Sequence, residues 1–144
     1  VIWTKKERSQ FANPDLGKTL ENAQILPNVG WTKMINSLNI SLSASPSVSE
    51  IKANQTVMLL FRFLDSETNK PIKQIERLLG SSGHCVILSS KAEQFVHAHA
   101  AEAMSGGAKV MFHTVFPEDR IYNLWVLFQF KGWMITVSFV VNVR

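Results

Sequence analysis

From Tyr122 to Val143 an apolar side chain returns at nearly every second position. Tyr122, Leu124, Val126, Phe128 and Phe130 share one phase, and Trp133, Ile135, Val137, Phe139, Val141 and Val143 share the next. Strand side chains point alternately to opposite faces, so this period commits both segments to strands with one buried side. Lys131-Gly132 between them suits a two-residue hairpin turn. The same alternation runs through Leu38, Ile40 and Leu42, and through Val57, Leu59, Phe61 and Phe63, with Met58, Leu60 and Arg62 on the reverse side. Three shorter apolar runs, separated by turn-forming residues, lie between Gly83 and Pro117. About seven strands joined by short turns predict an all-β fold, an antiparallel β-sandwich of immunoglobulin-like or cupredoxin-like arrangement.

Residues 1–37 lack this rhythm and are expected to form an N-terminal extension to a sandwich spanning residues 38–144. Within the extension, Asp15 is placed to cap a turn or two of helix carrying Leu16, Leu20 and Ala23. Ile72, Ile75, Leu78 and Leu79 suggest an irregular or briefly helical crossover. A chain of 144 residues, 46% of them hydrophobic, suffices for one buried core. The net charge of +4 is scattered; its densest group, Lys5, Lys6 and Arg8, is interrupted by Glu7. A nucleic-acid partner calls for a basic stripe, so none is expected. The single cysteine cannot form an intramolecular disulfide and leaves the compartment open. No run reaches the ~18 apolar residues of a membrane-spanning helix. Val1-Ile2-Trp3 followed by Thr4-Lys5-Lys6-Glu7-Arg8 reads as the trailing edge of a signal or anchor segment, which favours an extracytoplasmic location with an upstream membrane anchor.

The chemistry is concentrated between Gly83 and Pro117, which hold all four histidines, His84, His97, His99 and His113, and Cys85. On one strand His97 and His99 would share a face roughly 7 Å apart, a spacing that lets two imidazoles converge on one ion. Neutral imidazole suits copper, zinc or nickel, and the affinity order favours copper, with zinc the alternative; Met104 and Met111 would add soft thioether ligands. Against this stands the plainer reading of rim histidines, and His113, in the phase opposite Phe112, Thr114 and Phe116, is expected to point away from the core. A blue-copper centre would require Cys85 beside His84 on one face, which adjacent strand positions do not provide. A cysteine-dependent enzyme would require an exposed Cys85 of depressed pKa, whereas its phase with Ile87 predicts burial. No phosphate loop, nucleophile elbow or metal-and-glutamate helix motif is present.

Gly83-His84, Phe95-Val96-His97-Ala98-His99, Phe112-x-Thr114-x-Phe116-Pro117 and Tyr122-x-Leu124-Trp125-x-x-Phe128-Gln129 together resemble a bacterial family of extracytoplasmic immunoglobulin-like β-sandwich domains, found in secreted and envelope-associated proteins and sometimes near heavy-metal or copper-handling components. The likeness covers residues 57–143. It departs at Ala100, where the family often has proline, and at Glu118-Asp119-Arg120, where it usually has glycine. The resemblance implies export, a sandwich and no assigned catalysis. Two functions are therefore expected: a non-catalytic module binding a transition metal through clustered histidines, or an interaction module that docks a partner protein or another copy of itself. For the second, Trp125 and Leu127, in the phase opposite Tyr122 and Leu124, are the expected contact strip, while Trp133 is expected in the core.

Overall fold

The computed structural model describes residues 31–144; the capped helix expected at Leu16–Ala23 lies outside them. Nine strands occur among the described residues: β1 (Thr32–Ile35), β2 (Leu38–Ser45), β3 (Thr56–Asp65), β4 (His84–Ser89), β5 (Phe95–Val96), β6 (Ala98–Ala100), β7 (Lys109–Val115), β8 (Ile121–Phe130) and β9 (Trp133–Asn142). They form two antiparallel sheets, one of five strands in the order β1-β2-β3-β7-β6 and one of four in the order β5-β4-β8-β9. The expected β-sandwich is present.

Two strands exceed the expectation, each for a local reason. Thr32–Ile35, placed in the extension by its sequence, pairs antiparallel with β2 through an Asn36-Ser37 turn in which Asn36 adopts φ 54°. Asparagine tolerates that left-handed backbone better than most residues. The run Phe95–Ala100, expected as one strand, breaks at His97. Val96 pairs with Ile87 in the four-stranded sheet, whereas Ala98 pairs with Thr114 in the five-stranded one. The chain changes layers there, and the Thr114 hydroxyl donates to the His97 carbonyl at the crossing.

The inward phases meet between the layers. Phe61, Phe63, Phe128 and Phe139 are fully buried, with Phe63 and Phe128 edge to face at 4.6 Å between centroids. Such pairs add about 0.5–1.5 kcal/mol beyond the area they bury. Near the start of β8, the Tyr122 hydroxyl donates to the Glu118 carbonyl at 2.9 Å, the tyrosine corner that recurs in immunoglobulin-like sandwiches. Lys131 (φ 50°) and Gly132 (φ 77°) form the expected β8–β9 hairpin turn. Trp133 is the correction. It shares the phase of Ile135 and Val137, yet it is 72% exposed, because at the hairpin tip its phase points past the end of the core.

The segment between β3 and β4 is irregular and contains no helix. It starts against β3, where Pro71 bridges Leu64, and reaches the other layer where the Glu76 amide donates to the Gln129 carbonyl. Leu78 then lies over Val86 and Leu127 on the outer face of the four-stranded sheet. This cover explains why β4 is apolar in both phases.

Candidate functional site

The register sets the histidines. Alternation turns Ala98 and Ala100 toward the core and His99 outward, directly opposite His113 of β7. Their rings stack, with centroids 5.2 Å apart and planes 22° from parallel. His97, buried at the layer crossing, brings its ring to 3.5 Å from that of His99, centroid to centroid. The two do not share a strand as expected; the break at His97 folds one ring back on the other. Stacked rings offer one another their faces rather than their in-plane lone pairs. Among the described residues no group of three or more His, Cys, Asp or Glu side chains is arranged to hold a metal ion.

His84 stands apart from this trio. It opens β4 opposite Leu127, and its Nε2 donates to the Leu78 carbonyl at 2.6 Å, fixing that nitrogen as the protonated one. Burial holds its pKa below the ordinary imidazole value, opposed by the Leu78 carbonyl and the Glu102 charge. Glu102 is the second tie on the same loop. Its carboxylate accepts from the Ser81 hydroxyl at 2.8 Å, the Ser82 hydroxyl at 2.6 Å and the Ser82 amide at 3.0 Å, and meets Arg77 at 3.5 Å. Partial burial would push this carboxyl up, but the Ser82 and Ser81 donors and Arg77 outweigh it and hold its pKa below the usual carboxylate range.

Cys85 is buried, and burial pushes its thiol pKa up, away from a nucleophilic thiolate. The expected Trp125–Leu127 contact strip is corrected by the crossover. Leu127 has no exposed surface, and Trp125 is half-buried beside Leu78, Val86 and Leu127. Met104 is exposed on the short turn of 3-10 helix Glu102–Met104, and Met111 lies half-buried on the outward side of β7.

The surface that sequence reasoning missed is the outer face of the five-stranded sheet. Met34, Met58, Leu60, Leu64, Met111 and Val115 are all outward, and all are exposed or half-buried. Arg62 and Lys109 sit opposite one another on the same side, with His99 and His113 farther along. The outward positions of β1, β2, β3, β6 and β7 carry no acid. Asp65, the one acid in those strands, has the inward phase and accepts the Glu67 and Thr68 amides at 2.9 and 3.0 Å. The signal was present in the sequence: β3 carries Met58, Leu60 and Leu64, and β7 carries Met111 and Val115, in the phase opposite the core, and only the strand pairing shows that these outward sides adjoin.

These features define an all-β sandwich domain with a sheet face that is apolar along β3 and β7, polar along β2 and cationic at Arg62 and Lys109. The chain belongs to the family described as "Domain of unknown function (DUF8832)", whose pattern matches residues 36–144. No curated protein matches it. Among solved structures it is similar in fold to a DUF4426 family protein from Pseudomonas aeruginosa PAO1, with 8% identity and a TM-score of 0.51 over 78% of this chain and 94% of that one. The GAE domain of GGA2p from Saccharomyces cerevisiae aligns over 78% of this chain and 96% of its own, with 10% identity and a TM-score of 0.35, a likeness too slight to argue from.

Proposed function

We propose that this domain is a non-catalytic interaction module that docks a protein partner of acidic surface on the outer face of its five-stranded sheet. One observation carries the reading: that face joins three methionines to two cations and has no outward acid in its strands. Methionine side chains re-pack readily against varied partners, and a field of one sign steers a complementary one. The buried Cys85 supports the non-catalytic part.

The test is photo-crosslinking in the native host from residues 58, 60 and 111, with outward positions of β9 as controls. A crosslinked protein qualifies when its purified form binds the domain more weakly as salt rises, and at least tenfold more weakly with Met58→Glu/Met111→Glu. Crosslinking no greater than from β9, or binding indifferent to both substitutions, overturns the proposal.

A second reading has its own observation, the cross-strand pair His99 and His113. Two imidazoles held opposite one another would chelate one copper or zinc ion, with water completing the shell, once the rings turn their lone pairs inward. Calorimetric titration with copper and zinc, repeated on His99→Ala/His113→Ala, decides it. Stoichiometric binding lost in the double variant supports the chelate, and unchanged weak binding removes it.

A further inference from the structure

At one end of the same face a groove of about 480 Å³ is lined by Ser41, Arg62, Leu64, Pro71, Ala108 and Lys109, among others. Its floor is the end of β3, one wall is the start of the crossover at Pro71, and the other is the tight turn in which Gly106 and Lys109 exchange backbone hydrogen bonds. Arg62 and Lys109 occupy directly paired positions on neighbouring strands, and Ser41 is the partner of Arg62 on the other side. Like charges placed opposite one another across a sheet repel. Among the described residues neither cation has a carboxylate partner, and the outward positions around them are neutral. The pair thus leaves a positive potential at the head of a groove whose remaining lining includes Leu64, Pro71 and Ala108.

From this juxtaposition we propose that the groove is a binding site for an organic oxyanion, a carboxylate or phosphate head group on an apolar body. The guanidinium fork of Arg62 matches two oxygens of such a head, Lys109 adds a point charge, and the Ser41 hydroxyl adds a donor. Leu64, Pro71 and Ala108 take the apolar body. An anion there turns a repulsive cross-strand pair into two attractive contacts, so head-group recognition also stabilises the β3–β7 ladder. The site concerns a small ligand of the domain alone and does not depend on the partner-protein reading.

The test uses the full chain with three probes below their aggregation limits: decanoate, decyl phosphate and decanol, with inorganic phosphate as the head without a body. Binding is followed by calorimetry and by amide chemical shifts at Gly106 and Ala108. The expected result is that decanoate or decyl phosphate binds at least tenfold more tightly than both decanol and inorganic phosphate, and that Arg62→Gln or Lys109→Gln abolishes this advantage. Which charged probe binds more tightly distinguishes a carboxylate from a phosphate ligand. Arg62 and Lys109 are exposed, so both variants should fold. At low salt each should melt no lower than the parent, because the repulsive pair is gone. Equal binding of decanol and the charged probes, no shift at Gly106 and Ala108, or affinity unchanged in both variants overturns the site.

Discussion

Gly83 sits where a β-carbon would lie 2.8 Å from the Phe128 ring, closer than carbon atoms approach. Phe128 is fully buried and cannot retreat without disturbing Phe61 and Phe63. Gly83→Ala should therefore cost about 1–3 kcal/mol, read by urea denaturation. Leu127 and Trp133 are both apolar and both near the end of the sandwich, yet they should respond in opposite ways. Leu127→Ala removes a side chain with no exposed surface and should cost about 2–5 kcal/mol. Trp133→Ala, at 72% exposure, should stay within about 0.5 kcal/mol of the parent. His84 makes a prediction in pH. Its folded pKa lies below that of an unfolded chain, so above the ordinary value of 6.5 both states are neutral and its contribution is constant. As the pH falls below that value the unfolded chain gains a proton that the folded one resists, and stability declines until the folded ring also protonates. Equilibrium unfolding across this window should show a shallower decline for His84→Gln, whose amide keeps a donor for the Leu78 carbonyl.

At the scale of elements, the crossover between β3 and β4 decides which surface is buried. It is tied by the His84–Leu78 bond, by the four contacts to Glu102 and by the Glu76 carboxylate, which accepts the Gly132 amide at 2.7 Å. Glu102→Gln weakens one of these ties and should speed amide exchange at residues 78–83 while leaving the β8–β9 hairpin protected, as measured by hydrogen–deuterium exchange. The Glu102 carboxyl is depressed, so its contribution is complete above the ordinary carboxylate range and fades as the pH falls through its folded value. The strands themselves were legible because each buries one phase, and Leu38, Phe61, Leu124 and Phe139 all fall where their period puts them. The crossover was not. Nothing in Ile72–Leu79 says which sheet face Leu78 will cover, and Leu127 accordingly read as surface when it is core. The break at His97 was equally hidden, since Phe95–Ala100 satisfies a strand pattern whether or not its two halves pair with the same sheet. The histidine site was half legible for that reason: the sequence turned His113 away from the core, but it joined His99 to His97 on one strand and could not set His99 opposite His113, nor separate His84 from them.

For the whole molecule, the two outer faces are finished differently. The four-stranded sheet is covered at Val86 and Leu127 by the chain's own Leu78, whereas the five-stranded sheet presents half-buried methionines and leucines with Arg62 and Lys109 among them. A protein whose net charge of +4 is otherwise scattered thus has, among the described residues, one sheet face whose outward strand positions carry cations and no acid. That asymmetry predicts faster capture of an acidic partner at low ionic strength, with an association rate that falls as salt rises while dissociation changes little. Stopped-flow mixing with the crosslinked partner measures both, and equal salt sensitivity of the two rates would remove steering as the explanation.

The layer change at His97 has a mechanical meaning. In a sandwich whose strands each stay in one sheet, the layers are held together by side-chain contact and by loops at their rims, and a shearing load is borne by whatever packing lies between them. Here the main chain itself passes from one layer to the other in mid-run, with Val96 hydrogen-bonded into the first and Ala98 into the second. A load that slides the sheets apart is transmitted along a covalent backbone into two ladders at once, and the Thr114 hydroxyl holds the carbonyl at the point of transfer. The domain should yield by peeling from an edge rather than by slippage between its layers.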